Sequence, residues 1–156
     1  MPKEVIFMDQ DYERRVWQRV LGTEVDRDKQ DEAVLLALKQ TLEAAGCYQK
    51  LAGRTGGNCR NILLQLAREK CCQAKQLESV YFLLTGCCAK VKCENCDCCG
   101  KLCCLIRQRF LAEQRAAEGF CTAAERFGEF SNLYACLSRE SARAAEQLRC
   151  VLQALL

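Results

Sequence analysis

The near absence of helix-breaking residues constrains the fold of this chain more than any other feature. Its 156 residues include a single proline, Pro2, which lies ahead of every segment considered below. Glycine, the other strong helix breaker, is concentrated in short stretches that suit connections. These glycines are Gly53, Gly56, Gly57, Gly86, Gly100 and Gly128. The long segments between them are therefore predicted to be helices.

Apolar residues recur at steps of three and four in four long segments, as they do on the buried face of an amphipathic helix. The segments are roughly 31–52, 58–84, 102–126 and 130–155. The residues predicted to face inward are Val34, Leu38, Ala45, Tyr48 and Leu51 or Ala52; Ile62, Leu66, Leu77, Val80 or Tyr81, and Leu84; Ile106, Phe110, Ala117, Phe120 and Ala124; and Leu133, Leu137, Leu148, Leu152 and Leu155.

Turn signals divide these segments into two helical hairpins, 31–86 and 105–156. The stretch GRTGGN separates the first two helices and RFGEFSN separates the last two, while a cysteine-rich crossover, 87–104, joins the hairpins. A shorter amphipathic helix is predicted within 9–21. We therefore predict a single all-α domain, 1–156, that forms a ferritin-like four-helix bundle with a short N-terminal helix.

Five stretches of the helices carry a likeness to a known family: DYERRVWQRVLG, LEAAGCYQKLA, LAREKCCQAKQLESVYFLLTG, LAEQRAAEGFCTAAER and LSRESARAAEQLRCVLQAL. Through them the chain resembles the rubrerythrin and ferritin-like family, small bacterial members in particular, over nearly all its length outside the crossover. LAREKCCQAKQL also aligns with LSRESARAAEQL, as expected for duplicated helix pairs. The resemblance implies a ferritin-like fold and makes a homodimer one expectation.

The resemblance also implies positions for a two-iron centre, which the family builds from single glutamates and Glu-x-x-His pairs. In this chain the positions hold Thr41, Lys70, Gln73, Glu113, Ser141 and Ala144. A second-helix register shifted by one residue would replace Lys70 and Gln73 with Glu69 and Cys72. The chain has no histidine, and Glu113 is the one glutamate kept in the first register. We therefore expect no di-iron centre and no oxidase or peroxidase activity.

Helical spacing independently places Lys70, Gln73 and Glu113 on the inward faces of their helices. Because an unpaired buried charge is costly, one hypothesis is that the Lys70 ammonium pairs with Glu113 and replaces the metal ions as its counter-charge. Thr41, Gln73 and Ser141 would then satisfy the remaining donors and acceptors. The alternative is that Lys70 extends to the surface and Glu113 lies at a hydrated rim.

The crossover concentrates more than half of the chain's fifteen cysteines in eighteen residues. They are Cys87, Cys88, Cys93, Cys96, Cys98, Cys99, Cys103 and Cys104. Their CC, CxxC and CxC spacings can bring two thiolates to one ion or share a sulfur between neighbouring ions. This mixture, interleaved with lysines, resembles a metallothionein within this stretch. The spacing predicts that these eight cysteines bind soft metal ions, Cu(I) or Zn(II).

Two other interpretations of the crossover stay open. It could continue the neighbouring helices, with several cysteines as small apolar residues, or form a redox-active loop that makes disulfides. The cysteines outside the crossover are weaker evidence, because each alone more often packs than binds metal. They are Cys47, Cys59, Cys71, Cys72, Cys121, Cys136 and Cys150.

Composition narrows the class of protein. A net charge of +3, from 23 basic and 20 acidic residues spread evenly, provides no basic stripe for nucleic acid. No apolar segment has the length of a signal peptide or a membrane span, so we expect a cytoplasmic protein with reduced thiols and no membrane partner. The leading hypothesis is sequestration or transfer of soft metal ions. The alternatives are a thiol/disulfide or oxidative-stress protein, and a non-catalytic interaction protein on a relict ferritin-like scaffold.

Overall fold

The structure is a computed structural model that describes residues 24–156, with side chains described from Lys29 onward. Four α-helices and one short 3-10 helix make up this part of the chain, and it contains no strand. The α-helices are α1 (Glu24–Ala52), α2 (Gly57–Thr85), α3 (Leu102–Arg126) and α4 (Ser131–Leu155), and the 3-10 helix is Gly128–Phe130. The prediction of an all-α four-helix bundle is confirmed. The helix predicted within 9–21 lies outside the described residues.

The crossover is shorter than the predicted 87–104 and has no regular secondary structure. Helix α2 ends at Gly86, whose φ of 72° is the left-handed conformation that glycine adopts without strain. Helix α3 begins at Leu102, and its first turn closes through the hydrogen bond from the Leu105 N–H to the Lys101 carbonyl. Cys103 and Cys104 therefore belong to the first turn of α3, while the other six predicted ligands lie in the crossover, 87–101.

The two hairpins pack α1 along α2 and α3 along α4, and they bury two separate apolar clusters. The Leu66 cluster contains Ala44, Cys47, Tyr48, Leu51, Ala52, Leu63, Leu66, Ala67, Ile106, Ala144, Leu148 and Val151. The Leu77 cluster contains Val34, Leu38, Ala74, Leu77, Val80, Tyr134 and Leu137. The inward faces predicted for α1 are buried, whereas on α3 the only fully buried side chains are Ile106 and Glu113.

A band of buried polar side chains separates the two clusters. Along α2 the order is Leu66, then Lys70 and Gln73, then Leu77, and the other helices show the same alternation. We call this band the polar layer, and its members are Thr41, Lys70, Gln73, Glu113 and Ser141. The predicted register of α2 is confirmed, since Lys70 and Gln73 are buried and Cys72 is exposed.

The crossover runs the length of the bundle, because α2 ends beside the Leu77 cluster and α3 begins beside the Leu66 cluster. Ala89 and Val91 pack against the Leu77 cluster, and further along Cys96 and Cys98 pack against the Leu66 cluster. The segment is therefore held against the bundle at both ends. None of the helices formed by residues 24–156 combines the length and apolar character that a membrane span requires.

Candidate metal centre

Helix α1 places a thiol in the core near its carboxyl end. Ala44, Cys47, Tyr48 and Leu51 follow the three- and four-residue steps of one helix face, and all four are buried in the Leu66 cluster. Cys47 is only 4% exposed. It is therefore fixed in position by the packing of the helix before any other ligand is added.

The crossover brings two further thiols to Cys47. Three side chains, two on α1 and one in the turn after it, hold the crossover backbone. Glu43 accepts a hydrogen bond from the Glu94 N–H, Lys50 donates to the Cys96 carbonyl, and Arg54, in the turn, donates to the Cys98 and Gly100 carbonyls. The Arg54 bonds are 2.7 and 2.8 Å long.

These ties bring three sulfurs together. The Cys47 Sγ lies 2.8 Å from the Cys96 Sγ and 3.7 Å from the Cys98 Sγ, and the last two are 3.2 Å apart. We call Cys47, Cys96 and Cys98 the thiol site. All three cysteines are unpaired thiols rather than disulfides.

The geometry of the thiol site fits a metal ion. With metal–sulfur bonds of about 2.3 Å, tetrahedral thiolates lie about 3.8 Å apart, and trigonal ones about 4 Å apart. The observed separations are shorter, so the closest pair of sulfurs needs to spread by about 1.0 Å for tetrahedral or about 1.2 Å for trigonal ligation. Among the described residues, these three cysteines form the one group of cysteine and carboxylate ligands close enough to share an ion. The thiol site can therefore hold a metal.

Burial favours the protonated form of two of the three thiols, Cys47 and Cys98. Burial, followed by the hydrogen bond with Cys96, raises the pKa of the Cys47 thiol well above its ordinary value, while the nearby Arg109 charge opposes the shift. Burial also raises the pKa of Cys98, and the Cys96 hydrogen bond adds to this effect. A metal ion must therefore displace protons to bind, as thiolate ligation generally requires.

The structure places the eight predicted ligands in different settings. Cys96 and Cys98 belong to the thiol site and are partly buried, and Cys103 is partly buried in the first turn of α3. The exposed ones are Cys87, Cys88, Cys93, Cys99 and Cys104. Within the described part of the chain, none of the six predicted ligands outside the thiol site belongs to a group of three ligand atoms close enough to share an ion. Their part in metal binding stays a prediction.

The sequence analysis did not include Cys47 among the predicted metal ligands. It grouped Cys47 with the cysteines that more often pack in the core. Its spacing within α1 marks it as buried, since it lies three residues after Ala44 and four before Leu51. Nothing in the spacing of the crossover indicates which helix the crossover contacts, so the pairing of Cys47 with Cys96 depends on the tertiary fold.

The polar layer centres on an ion pair between α2 and α3. The Lys70 Nζ lies 2.8 Å from the Glu113 Oε2, and the two side chains are 4% and 1% exposed. Lys70 also donates to the Gln73 Oε1 at 3.1 Å, and Gln73 donates onward to Glu140 at 2.9 Å. The predicted pairing of Lys70 with Glu113 is thus present in the structure, and Lys70 does not extend to the surface.

The other carboxylate oxygen of Glu113 has partners that the sequence did not indicate. The Tyr48 hydroxyl donates to Oε1 in a short hydrogen bond, and Arg109 lies 3.6 Å from the same oxygen. The Arg109 guanidinium also lies over the Tyr48 ring, 5.2 Å from its centroid. Arg109 is four residues before Glu113, so the two share a face of α3.

Two predicted contributions to the polar layer were wrong. Thr41 donates to the Ala37 carbonyl of its own helix at 2.7 Å, a local bond that threonine readily makes within a helix. The Ser141 Oγ is fully buried and has no hydrogen-bond partner among the described residues. Longer side chains contact Glu113 and Lys70 instead: Tyr48 from α1, Arg109 from the same helix as Glu113, and Gln73 from the same helix as Lys70.

The polar layer does not fit the two-iron centre that the ferritin-like resemblance implies. Its described residues offer one carboxylate near the centre, Glu113, whose oxygens already bind an ammonium, a hydroxyl and a guanidinium. Di-iron centres of this type need carboxylates and imidazoles from all four helices. The buried ammonium of Lys70 also repels a cation from this position.

Comparison of the chain with protein-family models, with curated proteins and with solved structures found no match. The chemistry of the thiol site and the polar layer therefore has to be argued from their own geometry.

Proposed function

We propose that this protein binds a soft metal ion, Cu(I) or Zn(II), through the thiolates of Cys47, Cys96 and Cys98. The observation that carries the proposal is the convergence of three thiols from two distant parts of the chain to within 3.7 Å of one another. Sulfur ligands without imidazole or clustered carboxylate favour Cu(I) and Zn(II) over harder ions. Sequestration or transfer of such an ion is the function that this site supports best.

Cu(I) and Zn(II) make different demands on the thiol site. Structural Zn(II) takes four ligands, so it needs a fourth, such as water or another crossover thiolate. Cu(I) is matched by soft thiolates and accepts three of them. The exposed cysteines of the crossover can then deliver an ion from solution or hold additional ions in sulfur-bridged sites. We propose that the thiol site is filled first, because its backbone is already fixed by Lys50 and Arg54.

The test is metal content and thiol protection measured on one anaerobic sample. Protein loaded with one equivalent of Cu(I) or Zn(II) is treated with an alkylating reagent, and mass spectrometry locates the protected cysteines. We expect Cys47, Cys96 and Cys98 to be protected until a chelator is added. We expect exposed helix cysteines such as Cys121 to react at once.

Matched variants separate this site from general thiol binding. Cys47→Ala, Cys96→Ala and Cys98→Ala should each lower the affinity for the first equivalent, whereas Cys121→Ala should leave it unchanged. If the three variants bound the first ion as tightly as the unmodified chain, the thiol site would not be the metal centre. Protection confined to the exposed crossover cysteines would lead to the same conclusion.

A thiol/disulfide function is the second candidate, and the 2.8 Å separation of the Cys47 and Cys96 sulfurs favours it. In such a reaction both thiols lose a proton and the pair gives two electrons to a disulfide substrate, which is reduced to two thiols. The thiolate is the attacking species, so the raised pKa of Cys47 makes this exchange slow at neutral pH. Rapid formation of a Cys47 to Cys96 disulfide with oxidised glutathione would favour this candidate over metal binding.

A further inference from the structure

The buried groups around Glu113 carry more positive than negative charge. Lys70 and Arg109 both approach its carboxylate, at 2.8 and 3.6 Å, while Tyr48 supplies a hydroxyl. The Tyr48 hydroxyl donates its proton to the Glu113 carboxylate and contributes no charge. One unit of positive charge is therefore not balanced by Glu113. Such an excess in a poorly hydrated region attracts an anion.

Two contacts, one on α1 and one on α3, place Arg109 beside the residues that form the thiol site. Its guanidinium stacks on the ring of Tyr48, which directly follows Cys47 in α1. One turn earlier in α3, Leu105 and Ile106 pack in the same cluster as Cys96 and Cys98.

Arg109 retains an unused hydrogen-bond donor. Its Nε is buried and has no partner within residues 24–156, although the side chain as a whole is 22% exposed. Its contact with Glu113 is at 3.6 Å, longer than a hydrogen bond, so this carboxylate does not fully engage the guanidinium. The other cations beside or within the crossover are exposed: Lys50 and Arg54, which donate to its backbone carbonyls, and Lys90, Lys92 and Lys101. Solvent screens their charges more strongly than that of Arg109.

We propose that Arg109 is the counter-charge of the metal–thiolate complex and determines which metal the thiol site prefers. The inference rests on the proposed metal-binding function. Three thiolates with Cu(I) carry two net negative charges, whereas three thiolates with Zn(II) carry one. A fixed positive charge beside the site therefore raises the logarithm of the Cu(I) affinity about twice as much as the logarithm of the Zn(II) affinity. Glu113 and Tyr48 act as positioning residues that hold Arg109 in place.

The experiment measures Cu(I) affinity by competition with bicinchoninate and Zn(II) affinity by competition with a chromophoric chelator. The chains compared are the unmodified protein, Arg109→Met, Arg109→Gln and Arg109→Lys. Arg115→Met is the matched control, because Arg115 is an exposed arginine on the same helix whose hydrogen bond, among residues 24–156, goes to the Leu111 carbonyl. Circular dichroism of each variant checks that the bundle is folded.

We expect removal of the Arg109 charge to weaken Zn(II) binding about tenfold and Cu(I) binding about a hundredfold. Arg109→Lys should keep both affinities within about threefold, since it keeps the charge, and Arg115→Met should change neither. Equal losses for the two metals in Arg109→Met and Arg109→Gln would indicate a merely structural role and overturn the inference. Unchanged affinities would overturn it too. A chain that binds neither metal before any substitution would overturn the proposed function itself.

Discussion

The thiol site and the polar layer are adjacent on α1, where Cys47 belongs to one and Tyr48 contacts the other. Both take polar groups out of water, and they do so in different ways. In the polar layer an ammonium, a guanidinium and a hydroxyl surround one carboxylate, so side chains neutralise the negative charge of Glu113. In the thiol site, burial keeps the Cys47 thiol protonated and therefore neutral.

The difference shows which part of a bundle core can accept a metal. A carboxylate whose oxygens are already bound by internal cations gains little from an ion. A set of neutral thiols gains charge and bonds when an ion displaces their protons. The sites also differ in construction, since the polar layer is made by helices alone, whereas the thiol site needs the crossover to close it.

Loss of the central carboxylate should have the largest effect on stability. Glu113→Gln leaves Lys70 and Arg109 buried beside each other without a counter-charge, so we expect a loss of about 3 to 5 kcal/mol in the free energy of unfolding. Chemical denaturation measures it. Glu118→Gln, at an exposed position of α3, should change stability by less than about 0.5 kcal/mol.

Lys70→Met sharpens this test. Glu113 would keep Tyr48 and Arg109 as partners, so the loss should be smaller than that of Glu113→Gln. If Lys70→Met were the more damaging change, or if both were neutral, the charge balance described for the polar layer would be wrong.

Metal should stabilise the chain through the thiol site alone. At a free metal concentration about 100 times the dissociation constant, binding should raise the free energy of unfolding by about 2.7 kcal/mol. Cys47→Ala should abolish this gain, and Cys121→Ala should retain it. Thermal unfolding with and without Zn(II) measures the difference. A gain that survived in Cys47→Ala but vanished in Lys70→Met would reverse the assignment of the two sites.

Release of the crossover should have a moderate effect that is confined to the thiol site. Arg54→Met removes two hydrogen bonds to the Cys98 and Gly100 carbonyls, each contributing about 1 kcal/mol. We expect faster hydrogen exchange of the crossover amides and weaker metal binding, with little change in the polar layer. Arg60→Met, an exposed control in the first turn of α2, should exchange as the unmodified chain does. Unaltered exchange in Arg54→Met would show that the Arg54 hydrogen bonds do not hold the crossover in place.

The smallest effect concerns Tyr134, far from both sites in the Leu77 cluster. Burial raises its pKa above 10.0, with the Gln30 hydrogen bond opposing the shift. The unfolded chain therefore loses this proton first, and stability falls as pH rises from 10.0 through the higher folded value. In Tyr134→Phe the free energy of unfolding should fall less steeply between about pH 9 and 11. The change in its slope against pH should correspond to at most one proton. A slope identical to that of the unmodified chain would contradict the shift.

Much of the architecture followed from local patterns. The four helices, the two hairpins and the inward positions of Lys70, Gln73 and Glu113 could be predicted because helical periodicity fixes which residues share a face. Helical periodicity does not predict hydrogen bonds. Ser141 is buried, as predicted, but its Oγ has no hydrogen-bond partner among the described residues. Periodicity gives the side of a helix but not the reach of a side chain across the core.

The sequence by itself determined that this protein is helical and that sulfur is concentrated in one connection, and it placed Lys70 and Glu113 on inward helix faces while leaving their pairing open. These are properties of spacing and composition. Only the tertiary structure decided that Cys47 joins Cys96 and Cys98, that Arg109 and Tyr48 complete the environment of Glu113, and that these two groups meet on α1. The physical reason is that contacts between distant segments depend on how the crossover lies along the bundle, which no local pattern encodes.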